Sequence, residues 1–259
     1  MNPILLERDD GVVRLTLNRP ERLNAMSVDL MLALRAALDE IAADKANRCL
    51  LLTGAGRGFC AGADLSGGGI EPGESDLGDV IHNWFNPVVR QLHALPMPIV
   101  AAVNGIAAGG GASLALAADI ALAARSAGFS QVFCRIALVP DVGSTYFLPR
   151  TVGPARALGM AMLGEVVSAE DAAAQGMIWR CVEDAELLSE ATRLARRLAQ
   201  GPTASLVATR RLLRQGADTA LDDQLEAEAQ AQSAAGRRAD FAEGVSAFLA
   251  KRPAAFTGR

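Results

Sequence analysis

The run from Leu95 to Ala118 carries no charged side chain, and a stretch so long and so apolar has two physical outcomes, a bilayer span or burial inside a folded domain. Its punctuation selects burial. Pro96 and Pro98 precede the strand-like run Ile99 to Val103, Asn104-Gly105 supplies a turn, and Gly109, Gly110 and Gly111 open an Ala/Leu-rich segment that reads as a helix. The residues from Asp119 to Ala124 then read as another strand, so this stretch is expected to fold as strand, turn, helix and strand.

The segments before it fit the same alternation. Val12 to Asn18 alternates, with Val13, Leu15 and Leu17 on one side and Arg14 and Thr16 on the other, the period of a half-buried strand. Ile4 to Glu7 is expected to pair with it as a hairpin across Asp9-Asp10-Gly11. Ser27 is placed to cap a helix with Asp29 in its first turn and Leu30, Leu34, Leu38 and Ile41 along one face. Cys49 to Thr53 reads as a buried strand, and a helix is expected near Asp79 to Leu92. Strands and helices in alternation indicate an α/β domain. From about Pro154 the pattern turns helical, at Ala155–Leu163, Ala169–Gln175, Leu187–Gln200, Thr203–Gln215 and Leu221–Ala234. Ser66 to Ser75, rich in Gly, reads as a mobile loop that could close on a ligand.

Charge and cysteine usage narrow the partners. With 29 acidic against 25 basic residues and a net charge of −4, no global positive field draws the chain to nucleic acid or an anionic membrane, and an anionic ligand must be held locally. The four cysteines are widely spaced without a C-x-x-C pair, and the start lacks a basic-then-apolar leader pattern, so a reducing cytoplasm is expected. The two histidines, His82 and His93, have no Cys/His cluster near them in sequence, so no metal site is expected.

Three stretches carry the candidate chemistry. In Gly56 to Leu65, three glycines follow a strand and can aim peptide N–H groups inward, although a Gly-rich surface turn would have the same composition. In Val103 to Ser113, a glycine triplet opens a helix whose first N–H groups lack intrahelical partners, although glycines also serve close helix-to-strand packing. In Ile136 to Thr145, Asp141 follows an apolar run and Pro140. A carboxylate among Leu138, Val139 and Val142 would have its ionised form disfavoured and its pKa raised to a useful value, while the alternative role for Asp141 is to cap the next helix.

Taken together, these stretches resemble the crotonase (enoyl-CoA hydratase/isomerase) superfamily, and the likeness extends to Asn18-Arg-Pro-Glu-Arg-Leu-Asn-Ala25 and Phe248-Leu-Ala-Lys-Arg252. The resemblance implies a crotonase-like ββα spiral core over residues 1–195, with a helical region over 196–259 for self-association and active-site closure. It implies an oxyanion hole made by the N–H groups of Ala63 and Gly110, with Asp141 as catalytic base. Two such donors in a dry pocket stabilise charge developing on a thioester oxygen by about 3 to 4 kcal/mol each. The resemblance also implies that Arg22, Ala25, Ala61, Asp64, Leu65, Phe248 and Lys251 hold the CoA portion of the substrate, the last two often across a subunit boundary. No cofactor beyond that CoA moiety is implied, and the assembly implied is a homotrimer or a dimer of trimers.

Hydratases of this family use two carboxylates, and the position of the first is Ser113 here, three residues beyond Gly110. A hydroxyl does not exchange protons as a carboxylate does near neutral pH. One carboxylate suits moving a proton within a bound acyl chain. The chain closely resembles a branch of the family that isomerises a ring epoxide of phenylacetyl-CoA to its oxepin. Asn24, the run from Cys49 to Gly62, Asn86-Pro87, Gly176-Met-Ile-Trp179 and Gly244 to Arg252 carry that likeness. Ser144, where that branch has a second glycine, and Tyr146, where it has Trp, depart from it and bear on the shape of the acyl pocket. A hydratase with water held by Ser113, and a non-catalytic acyl-CoA-binding subunit, are the rival readings.

Overall fold

Strand alternation begins the chain as expected. In the computed structural model, which describes residues 2–66 and 76–258, β1 (Ile4–Asp9) and β2 (Val12–Leu17) pair antiparallel with Ile4 opposite Leu17. Asp10 and Gly11 both adopt positive φ in the connecting turn. Helix α1 (Val28–Ala43) starts at Ser27, whose hydroxyl accepts from the Leu30 N–H, and it buries Leu30, Leu34, Leu38 and Ile41.

After α1 the chain repeats one unit, two strands and then a helix. Strands β3 (Cys49–Gly54) and β4 (Gly58–Cys60) precede α2 (Leu77–Val80), which continues through a π-helical segment, Ile81–Phe85, into α3 (Asn86–Ala94). Next come β5 (Ile99–Val103), β6 (Ile106–Ala108) and α4 (Gly110–Leu116), then β7 (Ile120–Ala124), β8 (Gly128–Ser130) and α5 (Ser144–Val152). In each repeat the first strand joins one sheet and the second strand joins another. The larger sheet has the order β1-β2-β3-β5-β7-β10 and the smaller β4-β6-β8-β9. This is the spiral that the sequence resemblance implied.

The chain continues through α6 (Pro154–Leu163), β9 (Val166–Ser168), α7 (Ala169–Ala174) and β10 (Arg180–Val182). It ends in α8 (Leu187–Ala199), α9 (Thr203–Gly216), α10 (Leu221–Gly236) and α11 (Ala239–Leu249). The expectation of helices alone beyond Pro154 is therefore corrected, because β9 and β10 each close one edge of a sheet. Three residues give too short a run for a period-two pattern to register.

The core lies between the large sheet and the helices α1 and α8. Leu15, Leu50, Leu52, Ile99 and Val100 are fully buried with Leu30 and Ile41. Helix α8 turns Leu187, Ala191, Ala195 and Ala199 onto that sheet, so the division at residues 195 and 196 falls within a helix that packs as one piece. Small alanines let α8 lie close to the strands. Helix α9 is tied to the sheet by charge: Arg210 and Arg214 each bond Asp119 at 3.1 Å. No helix of the described residues is long and apolar enough to cross a membrane.

Candidate active site

Asn24 organises the first wall of the site. It is fully buried at φ 57°, and its carboxamide accepts from the Arg19 N–H at 2.8 Å while donating to the carbonyls of Ala55 and Gly58 at 2.9 and 2.8 Å. One side chain thus fastens the segment from Arg19 to Ala25 onto the β3–β4 turn. A buried amide that satisfies three backbone groups is costly to lose.

The next residue pair sets the direction of an amide. Met26 and Ala63 form a parallel bridge, in which the Met26 N–H donates to the Gly62 carbonyl at 2.7 Å and the Asp64 N–H donates to the Met26 carbonyl at 3.0 Å. The Gly62 carbonyl and the Ala63 N–H belong to one planar trans peptide and point in opposite directions. The Ala63 N–H therefore faces away from Met26 and is not spent on the bridge.

The second glycine segment closes on the first. Gly62, at φ +92°, lies so near the start of α4 that a Cβ there would be 2.9 Å from the Ala108 carbonyl oxygen. A Cβ on Gly110 would stand 2.5 Å from the Met26 Cε and 2.8 Å from a methyl of Val142. Gly110 is the first residue of α4, so its N–H has no acceptor within the helix. Met26 thus joins the Ala63 bridge through its backbone and reaches the start of α4 with its side chain, where Val142, the residue after Asp141, also approaches Gly110.

Asp141 stands at the mouth of α5, where Val142 and Gly143 both take positive φ, 51° and 78°. Its carbonyl accepts from the Ser144 N–H at 2.8 Å, and the helix has no side-chain cap, so the capping role considered from sequence is not what its carboxylate does. Burial raises the Asp141 pKa to about 6, against a smaller lowering by its own N–H. The cause matches the expectation but the wall does not. Leu138 and Val139 are exposed in the chain, Val139 by 79%, and of the three only Val142 is buried.

Ser113 is fully buried, and its hydroxyl bonds the carbonyls of Asp141 at 3.3 Å and Gly109 at 3.4 Å. It ties α4 to the Asp141 turn. Ser144 is buried as well and donates to Gln131 Oε1 at 2.8 Å, while it also lines an apolar recess of about 310 Å³ with Pro140, Leu148 and Leu158. Tyr146 faces elsewhere, edge-on to His93 and beneath the Arg150 guanidinium at 3.9 Å. It lines a cavity of about 420 Å³ between α5 and α9, whose walls include none of Ala63, Gly110 and Asp141.

The expected CoA-binding residues divide into two groups. Arg22, Ala25, Ala61, Asp64 and Leu65 share one rim: Arg22 reaches the Ser66 hydroxyl at 3.2 Å, the Ala61 N–H bonds the Leu23 carbonyl at 3.0 Å, and Leu65 is 45% exposed. Asp64 is spent within that rim. Burial pulls its carboxyl up, but bonds from Arg19 and Ser66 outweigh burial and hold it below the usual range. Phe248 and Lys251 lie at the end of α11, Phe248 82% exposed, and among the described residues no hydrogen bond or ion pair joins them to the rim. The sequence reading took Arg22 from its segment and missed Arg19, the guanidinium that turns inward; only the Asn24 hub, a structural feature, distinguishes the two. The loop expected to close on ligand lies largely outside the described residues. Among those described, no cluster of metal-ligating side chains occurs.

Residues 7–259 match the family described as Enoyl-CoA hydratase/isomerase. The chain belongs to that family. Among its enoyl-CoA hydratase/isomerase relatives, it is similar to the 1,2-epoxyphenylacetyl-CoA isomerase of Escherichia coli K12, at 49% identity with both chains fully covered. The 2,3-dehydroadipyl-CoA hydratase of the same organism is 34% identical, again over the full length of both. A solved enoyl-CoA hydratase from Bacillus anthracis superposes with a TM-score of 0.93 at 31% identity, covering 99% of this chain and 100% of the other.

Proposed function

We propose that this protein is an acyl-CoA isomerase that works by stabilising a thioester enolate. Its reactions are the conversion of 1,2-epoxyphenylacetyl-CoA to oxepin-CoA and the shift of a β,γ double bond to the α,β position. The observation that carries this reading is Asp141, the one carboxyl raised among the described residues, beside a Ser113 whose hydroxyl is spent on backbone carbonyls. The 49% identity to an isomerase of that epoxide supports the substrate.

In the enoyl reaction Asp141 takes a proton from the α carbon, and the electron pair moves onto the thioester oxygen. The Ala63 and Gly110 N–H groups hold that oxygen as its charge grows, and the proton returns from Asp141 to the γ carbon as the conjugated thioester re-forms. Atoms are conserved and no resident cofactor is required. Arg22, Ala25, Ala61, Asp64 and Leu65 would form the CoA rim, with Phe248 and Lys251 supplied across a subunit boundary in a homotrimer or dimer of trimers. Four free cysteines suit a reducing cytoplasm.

Purified protein offered the ring epoxide and a β,γ-enoyl-CoA should turn over both, and Asp141→Asn should turn over neither. Hydration of crotonyl-CoA faster than either isomerisation would replace this reading with a hydratase. Intact CoA binding with no turnover of any of these thioesters would replace it with a binding subunit.

A further inference from the structure

We propose that Arg19 is a positioning residue that orients and polarises the Ala63 amide through a relay of two peptide groups. The proposal rests on the reading of Ala63 as an oxyanion donor, and it concerns what gives that donor its direction and strength. Arg19 Nη1 donates to the Ala25 carbonyl at 2.6 Å. That carbonyl shares its peptide plane with the Met26 N–H, which donates to the Gly62 carbonyl at 2.7 Å. The Gly62 carbonyl in turn shares its plane with the Ala63 N–H. In a trans peptide the two groups point in opposite directions, so guanidinium, first peptide, second peptide and substrate oxygen fall in one head-to-tail series.

A guanidinium donor at the head of such a series, its charge partly offset by the Asp64 carboxylate, makes each following N–H a stronger donor, because hydrogen-bonded amides polarise one another in a medium of low dielectric. The surroundings meet that condition. Ala25, Met26, Gly62 and Asp64 are buried and the Arg19 side chain is 21% exposed, while Ala63, at the far end of the relay, is exposed in the single chain. The Arg19 Nη2 donates to Asp64 Oδ2 at 2.8 Å, so one planar fork grips the residue before Met26 and the residue after Ala63. Both ends of the bridge are thereby braced by a single rigid group. Arg19 is itself fixed, since its N–H donates to Asn24 Oδ1 at 2.8 Å and its carbonyl accepts from the Asn24 N–H at 2.9 Å. The bracing has a purpose at Gly62, whose φ of +92° leaves the peptide that carries the Ala63 N–H without a side chain to hold it.

The test uses cinnamoyl-CoA, a conjugated thioester whose absorption moves to longer wavelength when donors pull charge onto its carbonyl oxygen. Wild type should shift that band on binding. Arg19→Met should shift it markedly less and lower kcat about tenfold, a part of the 100-fold or more that losing a whole donor costs. Because Arg19 also braces Ala25 and Asp64 of the proposed CoA rim, affinity for CoA alone, measured by calorimetry, should fall too, but by a smaller factor than kcat, since the relay itself ends at the acyl carbonyl. Arg19→Lys, which keeps the charge but loses the fork, should recover part of the shift, and it serves as the reading variant if Arg19→Met does not fold. A wild-type complex with no band shift would overturn the oxyanion reading itself. A full shift in wild type, retained with unchanged kcat in the folded Arg19 variants, would overturn the relay alone.

Discussion

At the scale of single residues, Asp141 holds two opposed demands. A carboxyl raised from 3.8 to about 6 by burial is neutral below that range and ionised above it, and a base must be ionised to accept a proton. The rate of isomerisation is therefore expected to rise through about pH 6 and level off above it, read from kcat/KM between pH 5 and 8. Stability runs the other way. Because the folded pKa lies above the unfolded one, the contribution of Asp141 is fully present below about 4 and is lost as pH rises through about 6. Removing the charge should relieve that cost. Asp141→Asn is expected to lose turnover by about a thousandfold or more and yet to gain about 1–3 kcal/mol at pH 8 in urea unfolding, a gain that vanishes at pH 4. An unchanged stability at pH 8 would mean that the carboxylate is already solvated in the folded chain.

At the scale of elements, the site depends on how closely α4 lies against β4. A Cβ on Gly111 would strike the Cys60 carbonyl oxygen, a backbone atom with no rotamer to give way, whereas one on Gly110 meets the flexible end of Met26. Gly111→Ala is accordingly expected to cost about 1–3 kcal/mol in urea unfolding, and Gly110→Ala to cost less stability while lowering kcat by crowding Met26 and Val142. Equal stability losses would show that both positions can relax. The same contact explains what was legible in the sequence. Long apolar strands such as Cys49–Gly54 and Ile99–Val103, the Ser27 cap and the two glycine segments all announce themselves locally. The smaller sheet does not, because β4, β6, β8 and β9 are three residues each and gain meaning only by pairing across the repeats. Asp141 is singled out by its place in the family resemblance more than by its apolar neighbours, two of which are exposed, whereas the Arg19 fork, whose partners include Asp64 forty-five positions away, exists only once the spiral has closed.

At the scale of the whole molecule, the described chain leaves several large apolar side chains in water. On α6, Leu158, Met162 and Leu163 are more than half exposed, and on α10 and α11 so are Leu221, Phe241, Phe248 and Leu249. Leu158 and Met162, four positions apart, share one face of α6, and exposed apolar side chains grouped in this way are a feature of surfaces that another protein covers. The exposed end of α11 also carries Phe248 and Lys251, which among the described residues have no hydrogen bond or ion pair to the proposed CoA rim. The proposed assembly would meet both observations, with copies of the chain packing through these helices and each lending its α11 end to a neighbour's rim. Sedimentation velocity at micromolar concentration should then give a trimer or a pair of trimers. Met162→Glu combined with Leu163→Glu should shift it toward monomer, since two charges would have to be buried unpaired. Dissociation should weaken CoA binding as well, and Lys251→Ala should weaken it several-fold in the intact assembly without changing the sedimentation coefficient. A monomeric wild type that binds CoA with full affinity would show instead that the rim from Arg22 to Leu65 holds the nucleotide alone.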